Sequence, residues 1–342
     1  MALTEQQFAE IKNELDNCKN PLFFFDDDPD GLCAFLLLYR YKREGKGYPI
    51  KSTPLIDGKY VEIVKRYDPD KVFILDIAMV EQEFLDHVKV PVIWIDHHPA
   101  LQRSNVKYFN PRINDPLDNP STTVLCYHAV QQDLWLGMIG GVADWQLPDF
   151  TADFIKQYPG LLSRKIKKPQ DALFNSEVGK LVKIFSFILK GKAQEMMKYV
   201  KVLFIIKDPY EILNQTTQEG RYLYKQYERA KKDYDELLAK AIKAKGKDKI
   251  LLFIYPDAEM SFTKELSNEL LYLFPKKIIV IGRHKNGAYK LSLRSATIPV
   301  RPVLEKALVG VDGYGGGHEM ACGVCIKTHD FEKFLEQFRK NL

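Results

Sequence analysis

Short apolar runs rich in branched and aromatic side chains punctuate the first hundred residues, and each gives way abruptly to acid. Pro21–Phe25 leads into Asp26-Asp27-Asp28-Pro29-Asp30-Gly31, Val72–Leu75 into Asp76, and Val90–Ile95 into Asp96-His97-His98. Runs of this length and composition read as buried strands. Segments of helical periodicity lie between them. One covers about Thr4–Cys18, with Thr4 as N-cap and Gln7 three residues on. Another runs from Gly31 to about Lys42, with Leu32, Phe35, Leu36 and Tyr39 on one face. A strand near Ile50–Pro54 and helices near Tyr60–Tyr67 and Val80–His87 complete the series. The alternation predicts an α/β fold with a parallel sheet. Such a sheet binds ligands beyond the carboxyl ends of its strands. Residues far apart in sequence would then meet on one rim.

Further along, residues 110–120 read as loop, and Ser121 caps a helix through about Gln132. Leu134–Asp144 is small and apolar and predicts a packed helix ending in one acid. Residues 175–206 look helical. Glu211–Ala244 is charged with Leu and Tyr interspersed, which predicts a long connecting helix, an interdomain strut or a docking surface. Lys245-Gly246-Lys247 breaks it. Leu251–Tyr255, Ile278–Ile281 and Leu291–Leu293 then read as strands around a helix near Thr263–Leu273. The expected organisation is an α/β domain over 1–207, a helical linker over 208–246 and a smaller mixed α/β domain over 247–342.

Composition narrows the picture. The chain has 342 residues, 46% hydrophobic and 28% charged, enough for a sizeable core, and a net charge of +5 that is permissive for a polyanionic partner. Its five cysteines are odd in number and mostly scattered, so a disulfide framework is not expected and a reducing cytoplasm fits. Cys322 and Cys325 have a zinc-like spacing but sit in a strand-like stretch with no second pair. No basic-then-apolar leader opens the chain, and no apolar run approaches the roughly 18 residues of a membrane span.

The acids carry the chemistry. Several carboxylates cannot sit together ionised without cations, because like charges at close range repel. Asp26-x-Asp28-x-Asp30-Gly31 resembles half of an EF-hand loop, but that loop needs a Glu at its twelfth position, where Leu37 stands, and a helix before it. A haloacid-dehalogenase arrangement would want Thr or Val where Asp30 stands. Adjacent histidines on an extended segment point opposite ways, so one of His97 and His98 would ligate metal and the other face substrate. Asp96 would orient an imidazole. Asp144 offers a fourth acidic segment, with Asp149 as the fallback. In Gly313–Ala321, consecutive glycines free backbone amides to approach an anion, with His318 as a further donor. Ser292 and Arg294 share one face of a strand and would join Gly315, Gly316, Gly317 and His318 as a phosphate clamp.

Taken together these residues resemble the DHH phosphoesterase superfamily, over nearly the whole chain. The Asp-rich loop looks like the first motif, Asp76 the second, Asp96-His97-His98 the third and Asp144 the fourth. Gly315-Gly316-Gly317-His318 with Arg294 is similar to the DHH-associated C-terminal domain. Asp26 stands where many members have His, which favours the RecJ-like nucleases, of the compact archaeal or nanoRNase type. The resemblance implies a site in a cleft between two domains, holding two divalent ions, Mn²⁺ first and Mg²⁺ second. Asp26, Asp28 or Asp30, and Asp76 would hold one ion; Asp76, His97 and Asp144 the other, with Asp76 bridging. Asp28 and His98 would be catalytic, His98 contacting the scissile phosphate. The implied activity is exonuclease action on single-stranded DNA or RNA, including short oligonucleotides, in either polarity. The alternative is a small-molecule phosphohydrolase acting on adenosine bisphosphate or a cyclic dinucleotide. A non-catalytic replication or repair scaffold is a third reading, against which the retained ligands count. Cytoplasmic location, a DNA-repair role with a replication or repair protein as partner, and no membrane association complete the expectation.

Overall fold

The computed structural model describes residues 3–51, 55–257 and 260–342. They form two compact units, 1–227 and 228–342. The expected strand over 50–54 falls partly on residues outside those described; the paired strand there is Lys46–Ile50.

Five strands of the first unit form a sheet in the spatial order Lys46–Ile50, Pro21–Asp26, Lys71–Leu75, Val92–Ile95, Lys107–Phe109. Every pairing in it is parallel. The strand Lys107–Phe109 is absent from the sequence reading, because three residues carry no readable period. Both faces of the sheet are covered, so the strands are apolar at every position rather than at alternate ones. Leu22, Phe24, Val72, Ile74, Val92 and Trp94 pack on one side. On the other, Phe23 stacks on Phe73 at 5.2 Å and Phe25 on Phe35 at 4.6 Å. Each such ring contributes about 1.5–3 kcal/mol by leaving water.

The chain leaves Pro21–Asp26, pairs next on one side at Lys46–Ile50, and then returns to the other side at Lys71–Leu75. This reversal of strand order opens a crevice at the carboxyl ends of the two inner strands, where open α/β sheets bind ligands. Register aligns Phe25 with Leu75 and Leu75 with Ile95. Asp26, Asp76 and Asp96 therefore leave the sheet at one level.

The helix after the first strand runs Pro29–Lys42 and starts for local reasons. Asp28 caps it, Oδ1 accepting from the Gly31 amide at 3.0 Å, and Pro29 occupies the first turn. Gly31 has no room for a side chain: a Cβ there would lie 2.7 Å from the backbone N and O of Asp26. Backbone cannot yield as a side chain would. Gly31→Ala is expected to cost about 1–3 kcal/mol, read as a lower denaturation midpoint, and to displace the acidic loop.

Several helices follow the periodicity closely. The first is Glu5–Asp16, with the expected Thr4–Gln7 capping box. Thr122–Val130 is capped by Ser121, and Leu134–Ala143 ends on Asp144. The expected connector over 211–244 is instead a short helix Pro209–Leu213, a break, and a long helix Gln218–Lys243. Asp208 opens the short piece with its own capping box, and Gln215, at φ +55°, ends it.

The second unit carries a five-stranded sheet in the order Gly313–His318, Ala321–Lys327, Ala288–Arg294, Ile278–Lys285, Ile250–Pro256. One face packs Leu291, Leu293, Val324 and Ile326 against helices Val300–Ala307 and Phe331–Lys340. The glycine-rich segment is an edge strand. Gly313 and Gly315 lie so close to the neighbouring strand that a Cβ would meet its backbone at 2.7 Å, whereas Gly316 faces open space. Cys322 and Cys325 share a strand at an odd spacing and point to opposite faces. All five cysteines are free.

Candidate metal centre

Asp76 occupies the centre of the crevice. It follows Leu75 directly and adopts a left-handed backbone conformation, φ +59°, which Asp tolerates better than most residues. Only 2% of it is exposed. Its Oδ1 accepts from Thr122 Oγ1 at 3.1 Å and lies 3.3 Å from His97 Nε2 and 3.9 Å from His98 Nδ1. Burial pushes this carboxyl well above the carboxylate range. The charges of Asp30, Asp28 and Asp26 push the same way, while His98 opposes them.

Among the described residues, three sets of side chains place ligand atoms within 4.8 Å of one another: Asp26, Asp28 and Asp76; Asp76, His97 and His98; and Asp30, His97 and Asp144. Asp76 belongs to two of these sets and His97 to two. Asp144 joins Asp30 and His97 rather than Asp76 and His97. It meets the other edge of the ring, Oδ2 lying 3.6 Å from His97 Nδ1. Hard carboxylate oxygens with imidazole nitrogen, buried and mutually repelling, are a donor set that fits Mn²⁺ or Mg²⁺.

The two histidines do not point opposite ways. The strand ends at Ile95, so the alternation that separates neighbouring side chains no longer applies. Their rings stand edge to face with centroids 4.7 Å apart. Asp96 does orient an imidazole, but that of His98: its Oδ1 lies 2.7 Å from His98 Nδ1. Its Oδ2 accepts from the His98 amide, Asn110 Nδ2 and Tyr108 Oη. Burial depresses the His98 imidazole, yet the Asp96 bond and the Asp96 and Asp76 charges outweigh it and lift its pKa to about 9. His97 takes its orientation from Asn119, whose Oδ1 is 2.9 Å from His97 Nδ1.

Asp30 is largely committed to the fold. Its two oxygens accept from the amides of Thr122 and Thr123 at 3.0 and 2.8 Å, at the start of helix Thr122–Val130. A buried carboxylate at a helix N-terminus is stabilised there. Asp149, the fallback for Asp144, lies elsewhere, with Oδ1 3.1 Å from His128 Nε2. Asn119, Thr122, Thr123 and Gln146 were not singled out in the sequence. The available signal was Ser-Thr-Thr at a helix start, which reads equally well as plain capping.

In the second unit, register places Ser292, Gly323 and Gly316 in one row and Arg294, Ala321 and His318 in the next, all on one face. Ser292 is turned away from that face's open part, since its hydroxyl bonds Ser267 Oγ at 2.9 Å beneath helix Thr263–Leu273. Arg294 Nε donates to Asn268 Oδ1, and Nη1 donates to the carbonyls of Leu293 and Cys322. Burial lowers its pKa to about 10, so it stays cationic at neutral pH. Gly315, Gly316, Gly317 and His318 are exposed.

A parallel sheet whose reversal point gathers an Asp-rich loop, a second strand-end Asp, Asp-His-His and a helix-end Asp defines the DHH class of phosphoesterases. Residues 22–152 match the family model for the DHH family N-terminal domain, and residues 246–342 match that for the DHHA1 domain. The chain belongs to the DHH superfamily. RecJ from Thermus thermophilus in complex with Mn²⁺ is similar in fold, with a TM-score of 0.70 and 17% identity. That match covers 98% of this chain but 54% of the RecJ chain, so the chain spans about half of that protein. An exonuclease RecJ bound to manganese aligns with a TM-score of 0.66 and 16% identity over 99% of this chain and 95% of the other. CDC45 from Entamoeba histolytica aligns with a TM-score of 0.53 and 11% identity over 99% of both chains. At these identities the likeness is one of fold. No curated protein matches the chain in sequence. No helix among the described residues is long and apolar enough to cross a membrane.

Proposed function

We propose that the chain is an exonuclease that uses two divalent cations, Mn²⁺ for preference, to hydrolyse single-stranded DNA or RNA to mononucleotides. The observation that carries the reading is the convergence of Asp26, Asp28, Asp76, His97 and His98 at the reversal point of the sheet. Asp26, Asp28 and Asp76 would hold one ion, and His97 with Asp144 and the Asp30–Asp76 rim the other. Two cations so held supply Lewis-acid charge that activates water and neutralises an in-line displacement at phosphorus.

The protein's own groups prepare that site. Buried carboxylates repelling one another are relieved only by positive charge, so the crevice is built for cations before any substrate arrives. His98, whose Nδ1 is held by Asp96, would meet a non-bridging phosphate oxygen. Arg294, His318 and the amides of Gly315–Gly317 would form a phosphate clamp on the second unit. The fold likeness to two Mn²⁺-bound RecJ structures supports the choice of ion and of polymer substrate.

A time course on 5′- and 3′-labelled DNA and RNA of graded length, with Mn²⁺ and with Mg²⁺, tests this reading. Mononucleotides released from one end are the expected result. Faster turnover of adenosine bisphosphate or a cyclic dinucleotide than of any oligomer would transfer the same chemistry to a small substrate. Absence of Mn²⁺-dependent hydrolysis on all of these would refute the assignment.

A further inference from the structure

Asn119 and Gln146 stand behind the candidate ligands, and their bonds form one connected set. Asn119 Oδ1 accepts from His97 Nδ1 at 2.9 Å, which leaves Nε2 as the lone-pair edge toward Asp76. Gln146 uses its carboxamide three ways. Its Oε1 accepts from the Ser121 amide at 2.9 Å; its Nε2 donates to the Asn119 carbonyl at 2.6 Å and to Asp144 Oδ2 at 3.1 Å. Three residues further along the same segment, Thr122 Oγ1 holds Asp76, and the Thr122 and Thr123 amides hold Asp30. Residues 119–123 and Gln146 thus touch Asp30, Asp76, His97 and Asp144, which come from four separate segments.

The backbone shows that this arrangement is held at a cost. Helix Leu134–Ala143 ends in a Schellman turn, with the Gln146 amide on the Gly141 carbonyl and the Trp145 amide on the Val142 carbonyl. The left-handed position of such a turn normally belongs to Gly, yet Trp145 occupies it at φ +59°. A bulky side chain there costs about 1–2 kcal/mol. The turn sets the side chains of Asp144 and Gln146 side by side, so that one donates to the other. Strain retained where function is concentrated is a recurrent pattern.

We propose that Asn119 and Gln146 are positioning residues of the metal centre. Asn119 fixes the tautomer and ring angle of His97, and Gln146 locks Asp144 beside it. The inference rests on the metal-site reading above, and it goes further by assigning the two residues to one ion. The set Asp30, His97 and Asp144 depends on them, while the set Asp26, Asp28 and Asp76 does not touch them.

Mn²⁺ titration of the full chain, by calorimetry and by the paramagnetic resonance of free Mn²⁺, tests the assignment in Asn119→Ala, Asn119→Asp, Gln146→Ala and Gln146→Met. Loss of such supporting bonds typically weakens metal binding about 10–100-fold. That loss is expected at one of two sites in Asn119→Ala and both Gln146 variants, with the other site unchanged. Asn119→Asp keeps an acceptor for the His97 proton and should bind at the wild-type level or tighter. Melting in chelator identifies any variant that fails to fold, and the remaining variants then carry the test. Wild-type affinity at both sites in the folded variants, equal weakening of both sites, or failure of Asn119→Asp to rescue would overturn the positioning role. Absence of Mn²⁺ binding by the wild type would instead overturn the metal-site reading itself.

Discussion

Asp76→Asn is expected to reduce metal-dependent hydrolysis on the order of 10³-fold or more, about 4 kcal/mol of barrier, while raising the melting temperature of the metal-free protein. The two effects have opposite signs because one charge causes both. Asn matches Asp in shape and accepts the φ of +59° that this position requires. Its carboxamide oxygen can still accept from Thr122 Oγ1. What disappears is a buried negative charge that faces Asp30, Asp28 and Asp26. Without a cation that charge is unfavourable, so removing it relieves the fold, by roughly 2–4 °C in melting temperature for each kcal/mol. It is also the acid shared by two candidate ligand sets, so removing it is expected to empty or distort both. Melting curves in chelator and turnover in Mn²⁺ check the two halves independently. A variant that retained turnover would show that Asp76 is not a ligand. A variant that melted lower in chelator would show that its charge is not strained.

Adding Mn²⁺ to the chelated protein should raise the melting temperature of the first unit, and the rise should grow with pH. Binding stabilises a folded protein by about 2.7 kcal/mol when the ion is at 100 times its dissociation constant, which corresponds to about 5–10 °C here. The pH dependence follows from the raised carboxyls of Asp76 and Asp30. An acid whose folded-state pKa lies above its unfolded value stabilises the fold by holding a proton. That contribution is complete below the ordinary value of 3.8 and is lost as pH rises through the folded value. The metal-free protein therefore loses stability from these two groups above about pH 4. The cation takes over the proton's role at higher pH, and protons compete with it at lower pH. Scanning calorimetry between pH 5 and 8, with Mn²⁺ and with chelator, reads the difference. A shift that shrank as pH rose would contradict the electrostatic account of the crevice.

The local chemistry of the site was legible in the chain, because it is written in contiguous residues. An apolar strand ending in acid needs no partner to be recognised, and Asp28-Pro29-Asp30-Gly31 carries its own helix start. The Thr4 capping box and the helix ending on Asp144 are local in the same sense. Legibility failed where a residue's role is set by a neighbour distant in sequence. Asp30 reads as a metal ligand, and nothing near it in sequence signals that its oxygens also cap a helix 92 residues away. Ser292 reads as a phosphate contact, and its bond to Ser267 was not legible in the sequence. The glycines of Gly313–His318 carry no strand signal, because glycine is depleted in strands. They form an edge strand because the adjoining strand approaches too closely for any side chain at Gly313 and Gly315.

By itself the sequence determined the parallel α/β character of the first unit, the level at which its acids leave the sheet, and the class of chemistry those acids can support. Periodicity and chain-local capping suffice for these. Only the tertiary structure decided which imidazole Asp96 orients, which acids lie near His97, and that Asn119 and Gln146 bond to His97 and Asp144. Those outcomes depend on distances between side chains from separate segments. Such distances are set by the packing of helices Thr122–Val130 and Leu134–Ala143 near the end of the sheet, and no run of neighbouring residues encodes them.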